Sequence, residues 1–145
     1  MNTVSGATDK PDGLRQFIRF AGVGALGFAI DAGIFLLLTA ALADWSIQSA
    51  RATSIVCSIT ATWALNRRVT FAQRKSRHRA REYLRYLLVQ LAGLVVNIGV
   101  FASALWIVPA LRRIPVLALL AGAAAALGFN FLAARSLAFR KDASS

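Results

Sequence analysis

The chain has 145 residues, 57% of them apolar and only 16% charged, with 17 Lys and Arg against 6 Asp and Glu for a net charge of +11. Soluble domains run nearer half apolar and about a quarter charged, so this much hydrocarbon excludes a soluble nucleic-acid binder and excludes disorder. A lone cysteine, Cys57, excludes a disulfide scaffold, which leaves a small all-α integral membrane protein of one domain, residues 1–145.

A membrane helix needs about 20 mostly apolar residues to cross the hydrocarbon. A short tail, residues 1–16, precedes the first such segment, Phe20 to Ala43, which carries one charge, Asp31. Its end, Ala41-Leu42-Ala43, resembles a signal-peptidase site. The stretch is longer than the usual apolar core of a signal peptide and contains Asp31, so it reads as an uncleaved span. The second segment has only 15 uncharged residues, Ala52 to Asn66. Reaching full length as Ser46 to Asn66 requires Arg51 inside it. The connecting stretch from Arg67 to Glu82 is rich in arginine, and within it the run from Arg74 to Arg81, with the only histidine, His78, reads as a solvated, lipid-facing loop. The third and fourth segments, Tyr86 to Leu111 and Ile114 to Ala134, carry no charge.

Orientation follows from the Lys and Arg of the short connecting segments. Lys10, Arg15, Arg19, Arg67, Arg68, Arg74, Lys75, Arg77, Arg79, Arg81, Arg85, Arg135, Arg140 and Lys141 fall on one side, against Arg51, Arg112 and Arg113 on the other. Four transmembrane helices with both N and C termini cytoplasmic are expected. Trp45 and Trp106 then lie at outer helix ends, where interfacial aromatics belong.

The sequence matches itself at a shift of 66 residues: Phe17-Ile18-Arg19-Phe20 aligns with Tyr83-Leu84-Arg85-Tyr86, Gly27 with Gly93, and Asp31 with Asn97. Past the outer loop the shift becomes 68, and Arg67-Arg68-Val69-Thr70-Phe71 aligns with Arg135-Ser136-Leu137-Ala138-Phe139. Arginines and glycines in register carry more weight than apolar matches. Two parallel two-helix repeats are expected, about residues 17–71 and 83–139. An even number of spans per copy makes both enter from the same side, so the axis relating them runs along the membrane normal.

Charges inside a span usually face the bundle interior and pair. Asp31 lies 12 residues inward of Arg19 and Arg51 lies 16 inward of Arg67, about 18 Å and about 24 Å along a helix. Arginine is long enough to close most of that difference, so the two are expected to meet, at the least as a lock between spans. Their aligned positions, Asn97 and Leu119, are both neutral. Helical spacing also places Gly24, Gly27 and Asp31 on one face, with Gln90, Gly93 and Asn97 on its counterpart. Ser54, Ser58, Thr62 and Asn66 form a further ladder, matched by Ala118, Gly122, Ala126 and Asn130. Small residues there serve close helix approach. The amides and hydroxyls of Gln90, Asn97, Thr62, Asn66 and Asn130, with Asp31 and Arg51, form a candidate polar seam for a group crossing the membrane. Arg19, Arg85, Arg67 and Arg135 recur in register at the inner mouth. Positive-inside topology and anionic lipids account for basic residues there, yet guanidiniums also suit bidentate contact with phosphate. These four are the candidate phosphate, or lipid-headgroup, ligands.

No cluster with metal-ligand spacing, phosphate loop or nucleophile–base pair is visible, so neither metal nor cofactor nor catalysis is expected. Cys57 reads as a small buried apolar residue.

Taken together, Phe17-Ile18-Arg19-Phe20-Ala21-Gly22-Val23-Gly24, Asp31, the ending Trp63-Ala64-Leu65-Asn66-Arg67-Arg68-Val69-Thr70-Phe71 and its repeat from Asn130 to Phe139 resemble the GtrA-like family of small four-span membrane proteins. The resemblance covers about residues 14 to 141. Members often have Asn-Phe where this chain has Thr62-Trp63. The resemblance implies flipping of a polyprenyl-phosphate-linked monosaccharide across the bacterial inner membrane for cell-surface polysaccharide modification, beside a membrane glycosyltransferase. Four helices enclose little volume, so a homo-oligomer is expected. The alternatives are a non-transporting scaffold for such a glycosyltransferase and a proton-coupled exporter that uses Asp31.

Overall fold

The computed structural model describes residues 10–41, 46–74 and 76–140, and the side chains from residue 13 onward. Trp45, Lys75, Lys141 and the Leu42-Ala43 end of the first apolar stretch lie outside the described residues. The described residues are almost all helical, without strands: α1 (Lys10–Ala41), α2 (Ile47–Leu65), α3 (Arg79–Ile107) and α4 (Pro115–Ala133). Three helical stretches, Gly13–Ala41, Arg79–Ile107 and Pro115–Ala138, are long and apolar enough to cross a membrane. The 19-residue α2 spans about 28 Å, but its hydroxyls and Arg51 make it more polar than the others.

Local chemistry sets the helix ends. Ser46 caps α2, its hydroxyl accepting the Ser49 N–H at 3.1 Å. Two prolines shape the turn between α3 and α4. Val108, before Pro109, and Ile114, before Pro115, are both held out of the helical region, at φ −121° and −136° with ψ 84° and 67°. The third helix therefore stops at Ile107, short of the expected Leu111, and a 3-10 turn, Pro109–Arg113, bridges to α4. At its other end α3 begins at Arg79, so Arg79 and Arg81 are helical and the expected loop is correspondingly shorter. Apolar length counts only the hydrocarbon-facing part of a helix. The continuation is held by Glu82, in the first turn of α3.

Helices α1 and α2 form one antiparallel hairpin and α3 and α4 a second. In the first, Gln16 reaches Thr70, Gly27 faces Thr62, and Asp31 meets Arg51. In the second, Tyr86 packs on Phe139, Gly93 on Asn130, and Gly122 on Asn97. Each hairpin ends in a five-residue π-helical turn, Asn66–Thr70 and Ala134–Ala138, 68 residues apart. The Phe71 N–H closes one on the Asn66 carbonyl at 2.7 Å, and the Phe139 N–H closes the other on Ala134 at 2.8 Å. Single π turns of this kind concentrate at functional sites.

The hairpins join at the end where the basic residues lie. Phe71 and Phe139 stack with centroids 4.5 Å apart and planes 15° from parallel. Around them contacts recur in pairs. Phe17 meets Phe131 edge-on at 5.3 Å, and Tyr83 meets Trp63 at 5.3 Å. Phe20 meets Phe71 at 6.1 Å, and Tyr86 meets Phe139 at 5.9 Å. Such pairs contribute about 0.5–1.5 kcal/mol each beyond burial. Phe20, Phe71, Tyr86, Phe131 and Phe139 are the buried centre of this aromatic core. Cys57 corrects its expectation: it is exposed, because it lies off the Ser54–Ser58–Thr62 stripe that faces α1.

Candidate functional site

Polar residues fall in three tiers along the bundle. Farthest from the basic end, Arg51 Nη1 contacts Asp31 Oδ2 at 2.7 Å, and the Ser54 hydroxyl donates to Asp31 Oδ1 at 2.7 Å. Arg51 also lies over the Phe35 ring, 5.8 Å from its centroid. Its side chain is 51% exposed while that of Asp31 is 14% exposed, so the guanidinium extends outward while its partner stays between the helices. At the aligned positions of the second hairpin, a Cβ on Gly122 would meet the Asn97 backbone carbonyl at 2.7 Å. Backbone proximity replaces the ion pair there.

The middle tier holds a half-open cavity of about 160 Å³ between the hairpins, where Thr62, Asn66, Tyr86, Gln90 and Asn130 meet Gly24, Gly27 and Ser58 and the apolar Phe20, Phe28, Ile59 and Leu127. The Asn66 amide donates to the Tyr86 hydroxyl at 3.0 Å, and Gln90 Nε2 donates to the same oxygen at 3.2 Å. Thr70 donates to Asn66 Oδ1 at 2.8 Å, and Ser58 donates to the Gly27 carbonyl at 2.7 Å. Gly27 and Gly93 allow the close approach: a Cβ at either would overlap Thr62 or Asn130. Two buried atoms on this cavity's lining residues, Gln90 Oε1 and Asn130 Oδ1, have no hydrogen-bond partner. Turning either amide over exchanges an orphan acceptor for an orphan donor. Buried polar atoms are nearly always paired, and one left unpaired costs about 1–3 kcal/mol. Asn130 Oδ1 packs against Gly93, so a polar group brought in from outside would reach it by displacing that contact.

At the basic end the four in-register arginines do not share one pocket. Arg19 and Arg135, joined by Arg15 and Arg74, line a polar recess of about 340 Å³ with Gln16, Thr70 and Gln73. Arg85 lines a separate, mostly apolar furrow. Arg67 is engaged by the protein itself: its Nε contacts Glu82 Oε1 at 2.8 Å and its Nη2 donates to the Ser76 carbonyl at 3.0 Å. A phosphate would have to compete with that carboxylate. Glu82 is fully buried and accepts two further bonds, from the Trp63 indole at 3.1 Å and the Ser76 N–H at 2.8 Å.

Of the expected seam, Thr62, Asn66, Gln90 and Asn130 converge on the cavity, whereas Asp31, Arg51 and Asn97 sit in the outer tier. Sequence reasoning missed Tyr86, the hydroxyl on which two amides converge, and Glu82. A single carboxylate among seven basic residues was the available signal for Glu82. Among the described residues no group of three or more His, Cys, Asp or Glu is placed to hold a metal ion.

The sequence model of the GtrA/DPMS transmembrane-domain family matches residues 19–144. No curated protein matches the chain. With three helices long and apolar enough to span, the chain is a multi-pass membrane protein, and it belongs to the GtrA/DPMS transmembrane-domain family.

Proposed function

We propose that this member of the GtrA/DPMS family carries the headgroup of a polyprenyl-phosphate-linked monosaccharide from one leaflet to the other. The observation that carries the reading is the pair of unpartnered amide oxygens, Gln90 Oε1 and Asn130 Oδ1, beside one cavity. Sugar hydroxyls supply the donors that these oxygens lack. Arg19 and Arg135 at one recess, with Arg85 nearby, supply cations for the phosphate, and lipid surrounds the chain. In this reading α2 is the fourth span, the hairpins are copies of an internal duplication related by an axis along the membrane normal, and the basic end is cytoplasmic. The paired ring contacts and twin π turns support the duplication; the positive-inside rule supports the orientation. The bacterial inner membrane, a neighbouring glycosyltransferase, a homo-oligomer and a non-catalytic role are what the family resemblance and the small enclosed volume suggest.

The test is translocation by purified protein in liposomes, with a fluorescent short-chain polyprenyl-phosphate monosaccharide as probe. Gln90→Leu and Asn130→Leu should keep helicity while lowering the rate about tenfold each, the effect of one lost hydrogen bond of about 1.4 kcal/mol. Full rates in both variants would remove the cavity from the route. An inactive wild-type protein would favour the scaffold.

A further inference from the structure

The furrow beside Arg85 lies apart from the central cavity and has a volume of about 440 Å³. It runs between α3 and the end of α4. Ala92 and Ala133 lie among Leu88, Phe129 and Leu137, and two cations, Arg85 and Arg140, complete the lining. Its size falls within the roughly 300–1,000 Å³ of ligand-binding clefts. Among the described residues neither arginine has an acidic partner: the ion pairs there are Asp31–Arg51 and Arg67–Glu82. The carboxylate nearest Arg85 in sequence, Glu82, is already held by Arg67. An apolar furrow carrying two unneutralised cations is complementary to an amphiphile with an anionic head.

The first hairpin does not repeat this feature. At the aligned positions the small Ala92 is replaced by the larger, half-exposed Leu26 and Arg140 by Ala72, which removes the second cation. Topology alone asks for basic residues at both hairpins, so it does not account for a clamp and an open floor on one of them.

We infer that this furrow seats the chain of a single-chain lipid phosphate, with the phosphate between Arg85 and Arg140. A furrow between two adjacent helices accommodates one chain in preference to the paired chains of a glycerophospholipid. The inference rests on the transport reading only for the kind of lipid. It adds that the substrate approaches sideways, along the second hairpin.

The test uses the full chain in phosphatidylcholine nanodiscs and farnesyl phosphate bearing a diazirine on its chain. After irradiation, peptide mapping should find the label on α3 and α4 around Leu88, Ala92, Phe129 and Leu137. The R85A/R140A double variant should lower labelling at least about tenfold, since charge-assisted hydrogen bonds are lost, and R85K/R140K should restore part of it. Ala92→Trp, which fills the floor with both arginines intact, should lower it as well; circular dichroism checks that each variant stays helical. Millimolar inorganic phosphate and equimolar phosphatidylglycerol should leave labelling unchanged. Equal labelling of the first hairpin, survival of the label in both variants, or competition by either phosphate source overturns the inference. Furrow labelling without translocation would sink the transport reading alone, and translocation without furrow labelling would sink this inference alone.

Discussion

The two hairpins share one backbone plan and solve it with different chemistry. In the first, Asp31, Arg51 and Ser54 tie α1 to α2 through charge and hydroxyl. In the second the same positions hold Asn97, Leu119 and Gly122, and the helices close until a Cβ at Gly122 would meet backbone. The inter-hairpin seams differ likewise. Glu82 binds Arg67 at one seam. Its counterpart at the other is Gln16, which donates to the Thr70 carbonyl instead, leaving Arg135 to line the polar recess. One member of each aligned pair is closed by the protein and the other is left open. The proposed ligand contacts, Arg135, Gln90 and Asn130, fall on the open side of this contrast, because unsatisfied groups rather than polar groups as such mark a candidate site.

The largest expected effect comes from breaking the closed seam. Arg67→Ala leaves Glu82 buried without its cation, which should cost about 3–5 kcal/mol; Arg67→Met with Glu82→Leu should recover most of it. Unfolding in mixed detergent micelles reads both. Next, Gly122→Val should destabilise by about 1–3 kcal/mol by forcing α4 off Asn97, whereas Ser54→Gly, which gives the first hairpin the same residue, should cost less because Asp31 retains Arg51. If the two glycine–serine positions respond alike, the contrast between the hairpins is wrong.

A double-mutant cycle sharpens the comparison at the outer tier. Asp31→Asn and Arg51→Leu make the first hairpin chemically like the second, and their coupling should be about 1 kcal/mol, so the double variant is more stable than additivity allows. Additive single losses would mean that the 2.7 Å contact does not hold the helices together. The smallest stability change should come from Gln16→Glu, which gives up the bond to the Thr70 carbonyl but offers Arg135 a carboxylate. A partly exposed new ion pair adds no more than about 1 kcal/mol, but it occupies Arg135 and should slow translocation severalfold. Unchanged transport would show that Arg135 need not be free.

Much of this was legible in the chain. Span two, drawn from Ser46 to Asn66, matches a helix over Ile47–Leu65 with caps at those two residues, because hydroxyl caps and amides mark helix ends. Asp31 and Arg51 were paired by depth alone, and the small-residue ladder located the close approaches at Gly27, Gly93 and Gly122. The fate of Arg67 was not legible, since Glu82 is six residues beyond Ser76 and meets it only when the segment folds back. Nor were the π turns: a five-residue widening leaves no periodicity, and although Phe71 and Phe139 align at a shift of 68, nothing in the sequence says that their rings stack. Hydropathy reports contact with lipid and says little about which helix faces which.

The Phe71–Phe139 stack has a mechanical consequence. The hydrogen bonds and ring contacts between hairpins lie at the basic end among the described residues: Thr60 and Trp63 with Tyr83, Asn66 with Tyr86, Arg67 with Glu82, and the phenylalanine rings. The stack therefore works as a fulcrum, with each hairpin a lever about 30 Å long beyond it. A tilt of about 10° at the rings moves the far tips by about 5 Å over that arm. Paired spin labels at Leu37 and Leu120 should thus show a wider distance distribution than a pair at Ile18 and Leu132. Tweezers of this kind grip at the hinge and part at the tips, so the two arms can separate without any contact at the basic end being broken.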